Sequence, residues 1–188
     1  MLDETFVATK KEATEYTPIP EDIYTVELLD VFSRTEESYD SKQNRAKNAD
    51  LVPEMETVLD FQFVLLEGRD GDKDLRGRNL FQNFVPSFLY ISSKKGKNKL
   101  YQVVEALQGQ TVSMEQEAYG ITGKDLNNLI GKHCRVGTTN KVAGDKTYSN
   151  IDKFLAVKDS YPALTTDEKE NSLIKPKESA LVGVDEEL

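Results

Sequence analysis

The chain has 188 residues, of which 38% are hydrophobic and 30% charged, with a formal net charge of −9; that is enough for one domain with a substantial core plus polar appendages, and tight for two. No run approaches the roughly 18 apolar residues of a membrane-spanning helix, and the start, Met1-Leu2-Asp3-Glu4-Thr5, lacks the basic and apolar regions of a signal peptide, so a cytoplasmic protein with no membrane partner is expected. A single cysteine, Cys134, excludes an intrachain disulfide and a cysteine-cluster zinc site, and with His133 as the only histidine no metal or cofactor is expected.

Residues 1–20 close on Thr17-Pro18-Ile19-Pro20, whose prolines oppose helix, and read as an N-terminal arm. Ile23 to Phe32, with Tyr24, Val26 and Leu28 on one parity, predicts a first strand. Residues 33–56 show no sustained apolar period and read as a long loop. Thr57 to Leu66 alternates clearly, with Leu59, Phe61, Phe63 and Leu65 on one face, and predicts a second strand. The turn-rich stretch 67–74 then leads into a third, Arg76 to Val85, in which Leu80 and Phe84 compete with Phe81 and Val85 for the inward face and Pro86 is the stop.

The basic linker containing Lys94, Lys95 and Lys97 precedes a change of period. Leu100, Val103, Val104 and Leu107 fall at i, i+3, i+4 and i+7, one face of a helix that Gly109 ends. A shorter helix over Thr122–Ile130, capped by Thr122, would turn Leu126, Leu129 and Ile130 inward. A fourth strand over Lys132–Thr139 (Cys134 and Val136 inward) and a fifth over Thr147–Val157 (Ile151, Leu155 and Val157 inward) would form a hairpin through residues 141–146. Beyond residue 158 no periodic core element is visible, and 159–188 reads as a flexible acidic tail.

Charge is segregated along this order. Residues 1–68 hold 6 basic against 16 acidic residues, residues 69–158 hold 15 against 9, and residues 159–188 hold 3 against 8. A basic middle between acidic flanks is suited to a polyanionic partner, although a solvated, solubilising surface has the same composition. Five strands with a helix between the third and fourth is the order of the five-stranded Greek-key barrel known as the OB-fold, here over residues 21–158; in that fold ligands lie across strands two and three, between the loops joining strands one to two and four to five.

Single-strand binders need cations for the backbone and exposed aromatics for the bases. Candidates for the first role are Arg76, Arg78, Lys94, Lys95, Lys97, Arg135, Lys141 and Lys146, and for the second Phe81 and Tyr148. Each has a plainer reading. Arg76 and Arg78, two apart on one strand face, could pair with acids across the sheet, and Phe81 and Tyr148 could join the core. Asp70, Asp72 and Asp74 alternate as a calcium loop begins, but Leu75 and Phe81 stand where that loop needs Gly and Glu, so a polar hairpin turn is the reading. His133 and Cys134, adjacent on a strand, point to opposite faces and make no nucleophile–base pair.

The segments Ile23-Tyr24-Thr25-Val26-Glu27-Leu28-Leu29-Asp30, Leu75-Arg76-Gly77-Arg78-Asn79-Leu80-Phe81, Leu129-Ile130-Gly131-Lys132 and Tyr148-Ser149-Asn150-Ile151 together resemble the single-stranded DNA-binding proteins of bacteriophage replication and recombination modules. The resemblance covers residues 22–158. It implies an OB-type fold, sequence-independent DNA binding without a catalytic step, and expression in a bacterial host cytoplasm. It also implies an acidic tail that recruits replication or recombination proteins and competes with DNA; this tail, ending Val184-Asp185-Glu186-Glu187-Leu188, lacks the aromatic or proline-bearing tip of the best-known bacterial version. A homo-oligomer is compatible with this expectation. The alternatives are a structural or protein-interaction module of a phage, and a nuclease-like metal site on Asp60, Asp70 and Asp72.

Overall fold

A computed structural model describes residues 17–157, 162 and 165–168. In chain order the elements are β1 (Ile23–Glu37), α1 (Tyr39–Lys47), β2 (Met55–Leu65), β3 (Arg69–Asp70), β4 (Lys73–Asp74), β5 (Asn79–Pro86), β6 (Ile91–Ser92), β7 (Gly96–Lys97), α2 (Lys99–Gln108), α3 (Met114–Tyr119), α4 (Gly123–Asn127), β8 (His133–Ala143) and β9 (Lys146–Ala156). Five strands form one antiparallel sheet in the order β5-β2-β1-β8-β9, and β3-β4 and β6-β7 form two small hairpins.

The alternation in β2 does what its pattern demands. Leu59, Phe61, Phe63 and Leu65 are buried on one face, beside Tyr24, Val26 and Leu28 of β1. α2 closes this core with Leu100, Val103, Val104 and Leu107, starting at an Asn98 cap and stopping where Gly109 turns left-handed at φ +70°. It packs against β9, β5 and β8.

The expected loop over residues 33–56 is instead mostly ordered structure. β1 continues to Glu37, pairing with Met55 at the start of β2, and α1 caps the resulting ribbon. α1 has no apolar face; Ser41 holds it by donating to Glu37 (2.7 Å) and accepting from the Glu54 amide (3.0 Å), while Arg45 donates to Glu37 (3.1 Å). α3 likewise buries nothing and is set by a capping box between Ser113 and Gln116.

Three bulges bend the sheet. Leu29 is the extra residue where β1 meets β2, Asn83 and Phe84 together face Asp60 where β5 meets β2, and Asp152 is extra where β9 meets β8. Each shifts side-chain parity, with consequences in β9 and β5. Phe154, not Leu155, enters the core from β9, its ring 5.8 Å from that of Phe63; Leu155 is 37% exposed. In β5 the bulge buries one residue of each competing parity, Leu80 and Val85, and leaves Phe84 59% exposed at φ +58°, the single non-glycine residue with positive φ among the described residues. Ile130, also expected inward, lies past the end of α4 and is exposed.

The barrel expected from the strand order is not closed: β5 and β9 share no hydrogen-bonded ladder. Part of the β9 edge is taken by the chain entering β1, since Ser149 Oγ accepts from the Ile19 amide (2.7 Å) and donates to the Ile19 carbonyl (3.2 Å), and Ile19 is fully buried. The arm therefore ends in the core; residues 1–16 lie outside the described residues. So does most of the expected tail, apart from Pro162 and a turn at residues 165–168.

Candidate nucleic-acid interface

Between the unjoined edges lies a cleft of about 510 Å³ lined by Gly77, Arg78, Asn79, Leu80, Phe81, Asn83, Tyr148, Ser149 and Asn150. It exists because β5 enters the sheet only at Asn79, leaving Gly77 and Arg78 in the preceding turn, and because β9 turns its Tyr148 to Asn150 stretch toward them. Phe81 sits opposite Gln62 of β2 with its ring half-buried on the face away from the core, while its neighbour Leu80 is buried opposite Phe63. Tyr148 is 44% exposed. Its register partner on β8 is Lys141, so a lysine stands beside the tyrosine on the same face.

Arg78, Phe81 and Tyr148 are thus brought together, with Lys141 alongside. Arg78 donates to the Thr17 carbonyl, which tethers the guanidinium where the entering chain passes. Its placement, and that of Arg76, corrects the expectation of two arginines on one strand face: both precede β5. The Arg76 guanidinium donates from Nε to Glu168 Oε1 (2.9 Å) and from Nη1 to the Leu66 carbonyl (2.8 Å). Glu168 also caps its own turn, accepting from the Thr165 amide and hydroxyl at 2.7 and 3.0 Å. Those donors, Arg76 first, hold its carboxyl at about 2, well below the ordinary 4.5.

The remaining cations do not line the cleft. Lys94 and Lys95 are exposed on the β6–β7 hairpin, their amides donating to Ser92 Oγ. Lys97 is bound to Glu105 of α2 (2.6 Å) and lies 5.5 Å from the centre of the Tyr101 ring. Arg135 lies between Thr25 and Leu155 in the sheet, and Lys146 stands at the exposed β8–β9 turn.

Burial pushes the Cys134 thiol far up, away from any nucleophilic thiolate. His133 Nε2 faces Glu27, a buried carboxylate, at 3.5 Å. Asp60, Asp70 and Asp72 do not come together: no three His, Cys, Asp or Glu side chains gather as a metal site among the described residues, and Asp60 is engaged by Arg34 and the Phe84 amide.

Sequence reasoning missed a second aromatic position. The Arg34 guanidinium lies 4.3 Å from the centre of the Phe84 ring, on the β1–β2–β5 face. No periodicity signals it, because the bulge that turns Phe84 outward is invisible in the residue pattern. Neither a protein-family model nor a curated protein matches the chain.

Proposed function

We propose that the chain binds single-stranded DNA without sequence preference and without a catalytic step, in the replication or recombination of a bacteriophage genome. The observation that carries this reading is the cleft in which Arg78, Phe81 and Tyr148 meet. A cation beside two partly exposed aromatic rings supplies what an unpaired strand offers to be bound: a phosphate charge and a base π-face. Asn79, Asn83, Ser149 and Asn150 add donors and acceptors that do not discriminate strongly among bases. The phage setting rests on the resemblance of the segments around Tyr24, Arg76, Gly131 and Tyr148.

The strand order supports an OB-type barrel left partly open. The sheet runs third, second, first, fourth, fifth strand when β5, β2, β1, β8 and β9 are counted along the chain, with α2 inserted between the third and fourth. The β1–β2 ribbon and the β8–β9 hairpin then correspond to the two loops that flank an OB ligand. The acidic residues beyond β9 act in this reading as a competitor for the cleft and a handle for replication proteins, with Glu168 on Arg76 as their first foothold.

Titration of a fluorescein-labelled oligothymidylate at two salt concentrations tests the proposal. Anisotropy should rise at low salt and the affinity should fall steeply with added salt, because each neutralised phosphate releases counterions. An oligonucleotide that stays free at low salt would end the reading.

A second reading, a protein-interaction module of a phage particle, draws on the tip of the β1–β2 ribbon, where Tyr39, Leu51, Val52 and Met55 are all exposed. It predicts oligomers by light scattering together with indifference to oligonucleotides.

A further inference from the structure

We infer that Phe84 is a second nucleobase-stacking platform, outside the cleft, on which an unpaired base of a bound single strand lies against the ring that Arg34 backs; this rests on the single-stranded DNA reading above. The first ground is strain. At φ +58° Phe84 occupies the left-handed region that bulky residues rarely adopt, and the burial that usually offsets such strain is lacking, since the ring is 59% exposed.

The second ground is how the ring is held. Asp60 is the single β2 residue facing the two-residue bulge. Its carboxylate accepts from the Phe84 amide at 2.8 Å and from Arg34 Nε at 2.5 Å, so one group fixes both the backbone that aims the ring and the guanidinium stacked on it. A ring pinned in this way is a preorganised flat surface, and little side-chain freedom remains to be lost on binding.

The third ground is charge. Arg34 is paired with both Asp60 and Glu36, so its cation is already met by two carboxylates and attracts phosphate weakly. What the site offers is therefore a π-face with a polarising cation behind it, suited to a base and not to the backbone. Phe84 directly follows Asn83 of the cleft and stands three residues beyond Phe81 along β5. A strand leaving the cleft along β5 meets this ring next.

The chain contains no tryptophan, so Phe84→Trp introduces a lone reporter. Oligothymidylate binding is followed by anisotropy of a label on the DNA, and stacking by quenching of the tryptophan. Rising anisotropy with quenching is expected. Rising anisotropy with unchanged tryptophan emission would overturn the Phe84 inference and leave the DNA-binding reading standing. Absent anisotropy change in the native chain would remove both.

Phe84→Gly supplies the complementary measurement, because glycine accepts φ +58° and the variant should melt no lower than the native chain. Its affinity should fall about 5- to 150-fold at every salt concentration, with the slope of log affinity against log salt unchanged, since no phosphate contact is lost. An affinity within twofold of native, or a flattened slope, would contradict a stacking role.

Discussion

Arg76 and Glu168, 92 residues apart, form an ion pair at 2.9 Å that fastens the chain beyond β9 to the turn preceding β5. The pair ties a cation two residues before Arg78 of the cleft to the acidic end of the molecule. Because the Glu168 carboxyl is held down to about 2 from 4.5, this contact contributes fully above pH 4.5 and is lost as the pH falls through 2. A carboxyl NMR titration should place the Glu168 midpoint near 2, and Arg76→Gln should return it toward the ordinary carboxylate range. An unshifted midpoint in the native chain would mean that the pair does not form in solution.

The same pair sets an expectation for binding. Deleting residues 160–188 removes Glu168 and the net acidic charge that follows, which takes one carboxylate away from Arg76. Oligonucleotide affinity should rise, with a steeper salt slope, because one more cation then releases counterions. Equal affinity for the full-length and shortened chains would dismiss the segment as a competitor.

Core burial in β9 offers a test that involves no ligand. Phe154 packs at a tilt against Phe63 and lies under Lys99, whose Nζ is 5.4 Å from its ring centre, whereas Leu155 points outward. Phe154→Ala should cost about 3–5 kcal/mol of unfolding free energy, and Leu155→Ala less than about 1 kcal/mol. Urea denaturation of both variants would expose a reversed order, and with it an unbulged β9.

That pair of residues also marks how far the residue pattern reaches. β2 and α2 are legible because each buries one continuous face, at period two through Leu59 to Leu65 and at helical period through Leu100 to Leu107. α1 and α3 are not, because neither buries an apolar stripe; polar bonds from Ser41 and the Ser113 capping box hold them. The box itself, Ser113 with Gln116 three residues on, is the signal that could have revealed α3. Phe84, Phe154 and Leu155 defeat parity counting for another reason: one inserted residue flips every side chain beyond it. At the cleft, Arg78, Phe81 and Tyr148 were legible as residue types, but their convergence depends on β5 and β9 approaching without pairing, and no local pattern encodes that.

Gly68 joins β2 to the β3–β4 hairpin at φ +128°, and a Cβ built there would lie 2.8 Å from Cε1 of Tyr24. Tyr24 is buried and donates its hydroxyl to the Pro20 carbonyl at 2.9 Å, so its ring cannot swing aside without breaking that bond. Gly68→Ala therefore combines backbone strain of about 1–3 kcal/mol with a clash in the core. A loss of at least about 2 kcal/mol in denaturant unfolding is expected; a neutral result would show that the Tyr24 ring or the turn relaxes freely.

Phe81 and Tyr148 approach the cleft from opposite edges of the sheet, one on β5 and one on β9, with no ladder between those strands. If a base occupies the cleft it contacts both rings, and the energies of losing them cannot be independent. Phe81→Ala and Tyr148→Ala should each weaken oligothymidylate binding by about 1–3 kcal/mol, and the double variant should depart from their sum by at least about 0.5 kcal/mol. Lys94→Gln together with Lys95→Gln provides the contrast, because the β6–β7 hairpin lies outside the cleft. Those changes should act only through screened, longer-range attraction and add to the aromatic losses without coupling. Strict additivity of Phe81 and Tyr148, or coupling as strong to Lys94 and Lys95, would place the strand somewhere other than between β5 and β9.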